Sequence, residues 1–103
     1  MNKYFLHGKL SAKAGKGDEL SAILLEASGL VATATGCLLY MVSTDPNDAD
    51  TVWVTELWET AQDHDDSLKV PGVSELIGKA VPILSSMPDK GQELQVLGGV
   101  LPH

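Results

Sequence analysis

Apolar and polar positions change period several times along the chain, and each change marks an element. Residues 3–10, KYFLHGKL, set Tyr4, Leu6 and Leu10 on one side and Phe5, His7 and Lys9 on the other, the alternation of a strand. The polar, glycine-containing SAKAGKG follows as a turn, with Gly17 or Asp18 placed to start a helix. Leu20, Ile23, Leu24, Ala27, Leu30 and Val31 then recur at helical spacing as one apolar stripe, and Gly36 is placed to end the region. CLLYMV, residues 37–42, is an unbroken apolar run of strand length, and Pro46 and Asn47 are turn formers within STDPNDAD. Residues 51–58, TVWVTELW, make the next strand. Thr60 is placed to cap a short helix, with Asp63 as a shorter-armed capping-box partner. Pro71 suits the first turn of another helix, whose stripe is Val73, Leu76, Ile77, Ala80, Val81 and Leu84, and Pro82 and Pro88 close it. Residues 92–100, QELQVLGGV, form a last strand that Gly98 and Gly99 weaken at its end.

The order β-α-β-β-α-β predicts an α+β fold of ferredoxin-like arrangement, an antiparallel sheet with helices on one face, in a single domain over residues 1–103. Trp53 and Trp58 lie an odd number of residues apart in one strand, so they face opposite sides of the sheet. A sheet covered by helices on one side leaves its other face wet and mostly polar. Here Cys37, Leu39 and Met41 are as apolar as Leu38, Tyr40 and Val42, and Trp53 and Leu57 accompany Val52, Val54 and Trp58. Both faces call for cover. The helices supply one layer, and a second copy of the sheet is the simplest source of the other, so a homodimer is expected.

Composition narrows the partners. At 103 residues, 44% of them hydrophobic, the chain suits one globular domain. The net charge is −7, and all seven basic residues are lysines. Nucleic acid and anionic membrane surfaces both call for a cationic face, so neither is an expected partner. With no arginine, planar bidentate capture of phosphate or carboxylate is not available either, and a neutral, largely apolar ligand fits better. No stretch is long and apolar enough to span a bilayer. The first ten residues lack the apolar centre of a signal peptide, and a lone Cys37 fits a reducing compartment, so a cytoplasmic location is expected.

Few residues carry chemistry. Glu56 stands on the same strand face as Val54 and Trp58, an acid among apolar groups. Buried there without a cation it would hold its proton and could act as a general acid or base; near the strand end it could equally reach solvent and do nothing chemical. His64, early in the capped helix, is within reach of the end of the strand that carries Trp58. It is either a general base or a surface histidine among Asp63, Asp65 and Asp66, which complement the helix start. No metal site is expected, because neighbouring positions of DHDD diverge on a helix and there is no second histidine nearby. His7 lies on the opposite face from Tyr4 and Leu6, and His103, at the chain end, is expected to be disordered. There is no phosphate-cradling loop and no nicotinamide or flavin fingerprint, so no cofactor is expected.

TVWVTELWET-AQDHDDSL-KVPGVSELIGKAVPIL resembles the antibiotic biosynthesis monooxygenase family, whose members carry a strand ending in Glu-x-Trp-Glu-Ser/Thr, a short helix with an early histidine, and a proline-led helix. The resemblance implies a dimeric α+β barrel built from two sheets, with a pocket in each subunit between sheet and helices. It implies cofactor-independent oxygenation of a quinol or polycyclic phenol by dioxygen, the electron-rich substrate itself reducing O2. On that analogy Trp58 would stack on or hydrogen-bond to the aromatic substrate, His64 would assist proton removal, and Glu56 would position or share the proton. Val54, Ser67, Leu76, Ile77 and Ala80 would contact substrate, with Gly8 leaving room on the first strand. Val54 stands where some aromatic-polyketide oxygenases have asparagine, and Ser67 where many quinol-oxidising relatives have a second histidine. The positions matching the heme-degrading branch are Gly8, Ser67 and Ile77, so heme breakdown is not implied. Two other readings use the same pocket: a non-catalytic dimer that binds a small ligand, and an isomerase.

Overall fold

The computed structural model describes residues 2–88 and 91–100; His103 lies outside them. Strand β1 (Lys3–Ser11) leads into helix α1 (Gly17–Val31), followed by β2 (Cys37–Asp45) and β3 (Asp48–Trp58). Helices α2 (Ala61–Ser67) and α3 (Val73–Ala80) come next, then a 3-10 turn over Val81–Ile83, and β4 (Gln92–Val96) closes the sheet. The strands lie in the order β2-β3-β1-β4, and every neighbouring pair is antiparallel. This is the ferredoxin-like topology that the element order predicts.

The turn between β2 and β3 is tighter than the polar run STDPNDAD suggests. Pairing continues to Asp45 opposite Asp48, which leaves only Pro46 and Asn47 in the turn. Asp50 of β3 reaches back to the start of α1, its carboxylate accepting from the backbone N–H of Gly15 at 3.1 Å and of Gly17 at 2.9 Å. Gly17 packs so closely on β3 that a Cβ there would lie 1.8 Å from the Ala49 carbonyl oxygen. Only a glycine allows the first turn of α1 to sit down on this strand.

Register decides which side chains meet the helices. Opposite Val52, Val54, Glu56 and Trp58 of β3 stand Leu10, Gly8, Leu6 and Tyr4 of β1. On the other side of β3, Val42 pairs with Val54 and Tyr40 with Glu56. Leu10, Val42 and Val52 pack with Leu20, Ile23 and Leu24 of α1 and with Ala80 and Leu84. A second cluster gathers Trp58, Val31 and Val73 with Tyr4, Cys37 and Tyr40. Removing this apolar area from water supplies the main favourable term for the helix layer.

Three expectations change. Cys37 does not share a face with Leu39 and Met41: pairing shifts from Cys37↔Trp58 to Leu39↔Leu57, so Leu38 is an extra residue in a β-bulge and Cys37 turns to the helix side. There, burial pushes its thiol above the ordinary range. Helix α3 begins at Val73 rather than at Pro71, because Gly72 takes a left-handed conformation at φ +94° and breaks the helical path. The last strand stops at Val96, before Gly98 and Gly99, and Leu97 is largely exposed.

Candidate functional site

The end of β3 sets the chemistry. Glu56 and Trp58 are two residues apart, so the pleat sends both toward the helices, and the Trp58 indole N–H donates to Glu56 Oε1 at 3.1 Å. Trp58 has no exposed surface and Glu56 is 9% exposed. The strand is followed at once by α2, whose start is fixed by the Thr60 side chain accepting from the Asp63 N–H at 3.0 Å. Thr60 thus caps the helix through its own side chain, as the sequence suggested. One turn into this helix, His64 points back over the sheet, with Nε2 3.7 Å from Glu56 Oε1 and Nδ1 3.1 Å from Asp65 Oδ1. Its ring meets Trp58 edge-on at 5.9 Å between centroids and Tyr4 at 5.6 Å. The Ser67 hydroxyl donates to the His64 carbonyl, closing the last turn of α2.

Burial raises the affinity of Glu56 for its proton, while the Trp58 N–H and the His64 imidazole pull in the opposite direction. The balance is upward. The desolvated carboxyl is therefore a stronger base, once ionised, than a carboxylate in water.

Glu56 and His64 open onto a cavity of about 230 Å³ between the sheet and helices α1, α2 and α3. Its wall is mostly apolar: Leu10 and Tyr40 from the sheet, Ile23, Leu24, Ala27 and Val31 from α1, and Val73, Leu76, Ile77 and Ala80 from α3. Ile77, Val81 and Leu68 are 42–50% exposed and also line it, so they form its mouth. A smaller hollow of about 120 Å³ adjoins it, bounded by Leu6, Gly8, Val54 and Lys9, and the two share Leu10, Glu56 and Pro88.

The residues singled out in the sequence thus divide. Glu56, His64, Ser67, Leu76, Ile77 and Ala80 line the main cavity, while Gly8 and Val54 line the side hollow. Trp58 lines neither; it is packed beside both Glu56 and His64. Its ring offers no free face for stacking, and its one polar atom is engaged by Glu56. Tyr40 was not singled out, yet it lines the cavity directly across from Glu56. Counting register back from Pro46–Asn47 would have missed it, because the pairing slips between Asp45↔Asp48 and Thr44↔Val52. Trp53 lies on the far face, as expected, stacked on His7 at 4.9 Å, with the His7 Nδ1 and Thr55 Oγ1 2.9 Å apart.

Among the described residues there is no group of three or more side chains able to hold a metal ion, and no helix long and apolar enough to cross a membrane.

Comparison with known proteins agrees with this architecture. The family model described as antibiotic biosynthesis monooxygenase matches residues 3–78. A protein from Chloroflexus aurantiacus J-10-fl, provisionally named an antibiotic biosynthesis monooxygenase, is 37% identical and superposes with a TM-score of 0.84 over 95% of this chain and 96% of its own. A Caulobacter crescentus CB15 protein with the same provisional name gives a TM-score of 0.84 at 16% identity, covering 94% of this chain and 92% of its own. A Nitrosomonas europaea protein of unknown function gives 0.82 at 23% identity, covering 100% and 97%. These last two likenesses speak for the fold alone. No curated protein matches the chain. The family match spans most of the chain, including β3, α2 and the Glu56–His64 pair, and the chain belongs to the antibiotic biosynthesis monooxygenase family.

Proposed function

We propose that this protein is a cofactor-independent monooxygenase that oxidises a compact quinol or phenolic aromatic compound with dioxygen, and that it works as a homodimer. The observation that carries the reading is an acid–imidazole pair, Glu56 and His64, on the wall of a mostly apolar cavity. Drug-sized ligands occupy roughly 300–1,000 Å³. The cavity here, about 230 Å³, suits a smaller ring system.

An electron-rich hydroquinone needs little from the protein. The Glu56–His64 pair takes a phenolic proton, and the phenolate passes an electron to O2, giving a semiquinone and superoxide. These combine with formation of a ring C–O bond, and the imidazolium returns the proton to give a hydroperoxide. Loss of the proton on that ring carbon breaks the O–O bond, leaving a new carbonyl on the ring and water. One hydroquinone and one O2 thus yield one hydroxyquinone and one H2O, and the substrate supplies every electron. The apolar wall serves by excluding water from the radical pair. Trp58 supports Glu56 through its N–H, and Leu76, Ile77 and Ala80 hold the ring.

Oxygen consumption with a panel of hydroquinones and anthrones tests the reading. Turnover is expected for the wild type, with a loss of about 10²-fold or more in His64→Ala. Unchanged rates in both His64→Ala and Trp58→Phe would remove the site. A second reading, a dimer that binds an apolar ligand without turnover, is favoured by one observation: Val54 and the backbone-bonded Ser67 add no free polar group toward the substrate. An apolar compound that co-purifies and does not turn over under oxygen would favour it.

A further inference from the structure

Tyr40 is placed by two features of β2. The bulge at Leu38 sets which residues face the helices, and the pairing beyond it puts Tyr40 directly opposite Glu56 on β3. Directly opposed side chains have their Cβ atoms about 4.5–5.5 Å apart. The Tyr40 ring packs beside the Trp58 cluster, and the residue lines the same cavity as Glu56 and His64. Its hydroxyl makes no hydrogen bond to any described residue. Nor is it among the fully buried polar atoms without a partner, so it keeps accessible surface. Glu56, its nearest cross-strand neighbour, is already engaged by Trp58. The O–H is therefore available to whatever occupies the cavity that Tyr40 lines.

Resting on the aromatic-ligand reading above, we infer that Tyr40 is a positioning residue whose hydroxyl donates a hydrogen bond to the phenolic oxygen of the bound ring, the oxygen that loses its proton to the Glu56–His64 pair. Burial, with the nearby Glu56 carboxyl and Cys37 thiol adding to it, pushes the Tyr40 phenol well above its ordinary range. It therefore stays a neutral donor throughout the working pH range. A neutral donor is what a forming phenolate requires in a site without arginine and without a lysine on its wall. The bond strengthens as charge builds on the oxygen, so Tyr40 both orients the ring and eases its ionisation.

The test uses 2-naphthol and naphthalene as paired probes, with calorimetry for affinity and absorption for the ionisation of bound naphthol. The wild type is expected to bind 2-naphthol roughly tenfold more tightly than naphthalene, and to favour the naphtholate. Tyr40→Phe is expected to bind naphthalene as the wild type does while losing most of that preference, and to raise the proton affinity of bound 2-naphthol about tenfold. A residue that merely packs would leave the ionisation unchanged. If both probes bind and Tyr40→Phe behaves as the wild type in preference and ionisation, the role of Tyr40 is overturned and the cavity reading stands. If neither probe binds the wild type, the cavity reading falls and this inference falls with it.

Discussion

The Trp58 indole N–H donates to Glu56 Oε1 across 3.1 Å, and the indole has no exposed surface. The bond spans two residues of one strand face, so it forms as soon as β3 is pleated and covered. In Trp58→Phe the ring's packing is largely kept but a buried carboxyl loses its donor. A destabilisation of about 1–3 kcal/mol is expected, read by urea denaturation at neutral pH. Because this bond lowers the proton affinity of Glu56, its loss should also move any Glu56-dependent step of a pH profile upward. A variant as stable as the wild type with an unmoved profile would mean that the bond is not formed in solution.

The burial of Glu56 sets a direction for stability against pH. Its proton affinity is raised in the folded chain above the ordinary value of 4.5, so the folded state binds this proton more tightly than the unfolded one. That contribution is fully present below 4.5 and is lost as pH rises through the folded value. Glu56→Gln keeps an acceptor for the Trp58 N–H and removes the titration. Melting temperatures measured from pH 4 upward should fall for the wild type relative to Glu56→Gln. Parallel curves would show that Glu56 is solvated.

Helix α2 has seven residues, too few to persist alone, and its start depends on one hydroxyl. Thr60→Ala removes the acceptor for the Asp63 N–H and should cost about 1 kcal/mol. His64 rides on this helix, so loss of activity in Thr60→Ala should exceed that of an equally destabilising change in the distant Leu20 cluster. Equal losses would argue that α2 is held by packing alone.

The sheet face away from the helices carries Phe5, Leu39, Met41, Trp53 and Leu57, with Met41 46% exposed. If a second copy covers it, sedimentation should give a dimer at micromolar concentration, and Met41→Lys should shift it toward monomer while leaving 2-naphthol binding intact. A wild-type monomer under those conditions would refute the homodimer.

Much of this was legible from the sequence because period and spacing are local properties. The alternation in β1 and the stripe of α1 follow from side-chain geometry on a strand and a helix, and Thr60 with Asp63 marks a helix start within four residues. That Glu56 and His64 come near each other was legible, since a strand end and the helix that follows it stay close. What escaped depends on a partner strand. The Leu38 bulge reverses the side on which Cys37 lies, and nothing within CLLYMV signals an extra residue. The place of Tyr40 opposite Glu56 needed the register of two strands at once. Trp58 was expected to touch substrate by analogy with the family; only the packed structure reveals how completely Val31, Val73 and their neighbours enclose it.

The shortness of α2 has a consequence for observing ligands. A helix this short between Thr60 and Leu68, with its imidazole against Trp58, is placed to open locally while the four strands stay paired. Occupancy of the hollow beneath it should therefore register first as slowed amide deuteration confined to residues 61–68. The helix would report on a guest before any reaction is assayed.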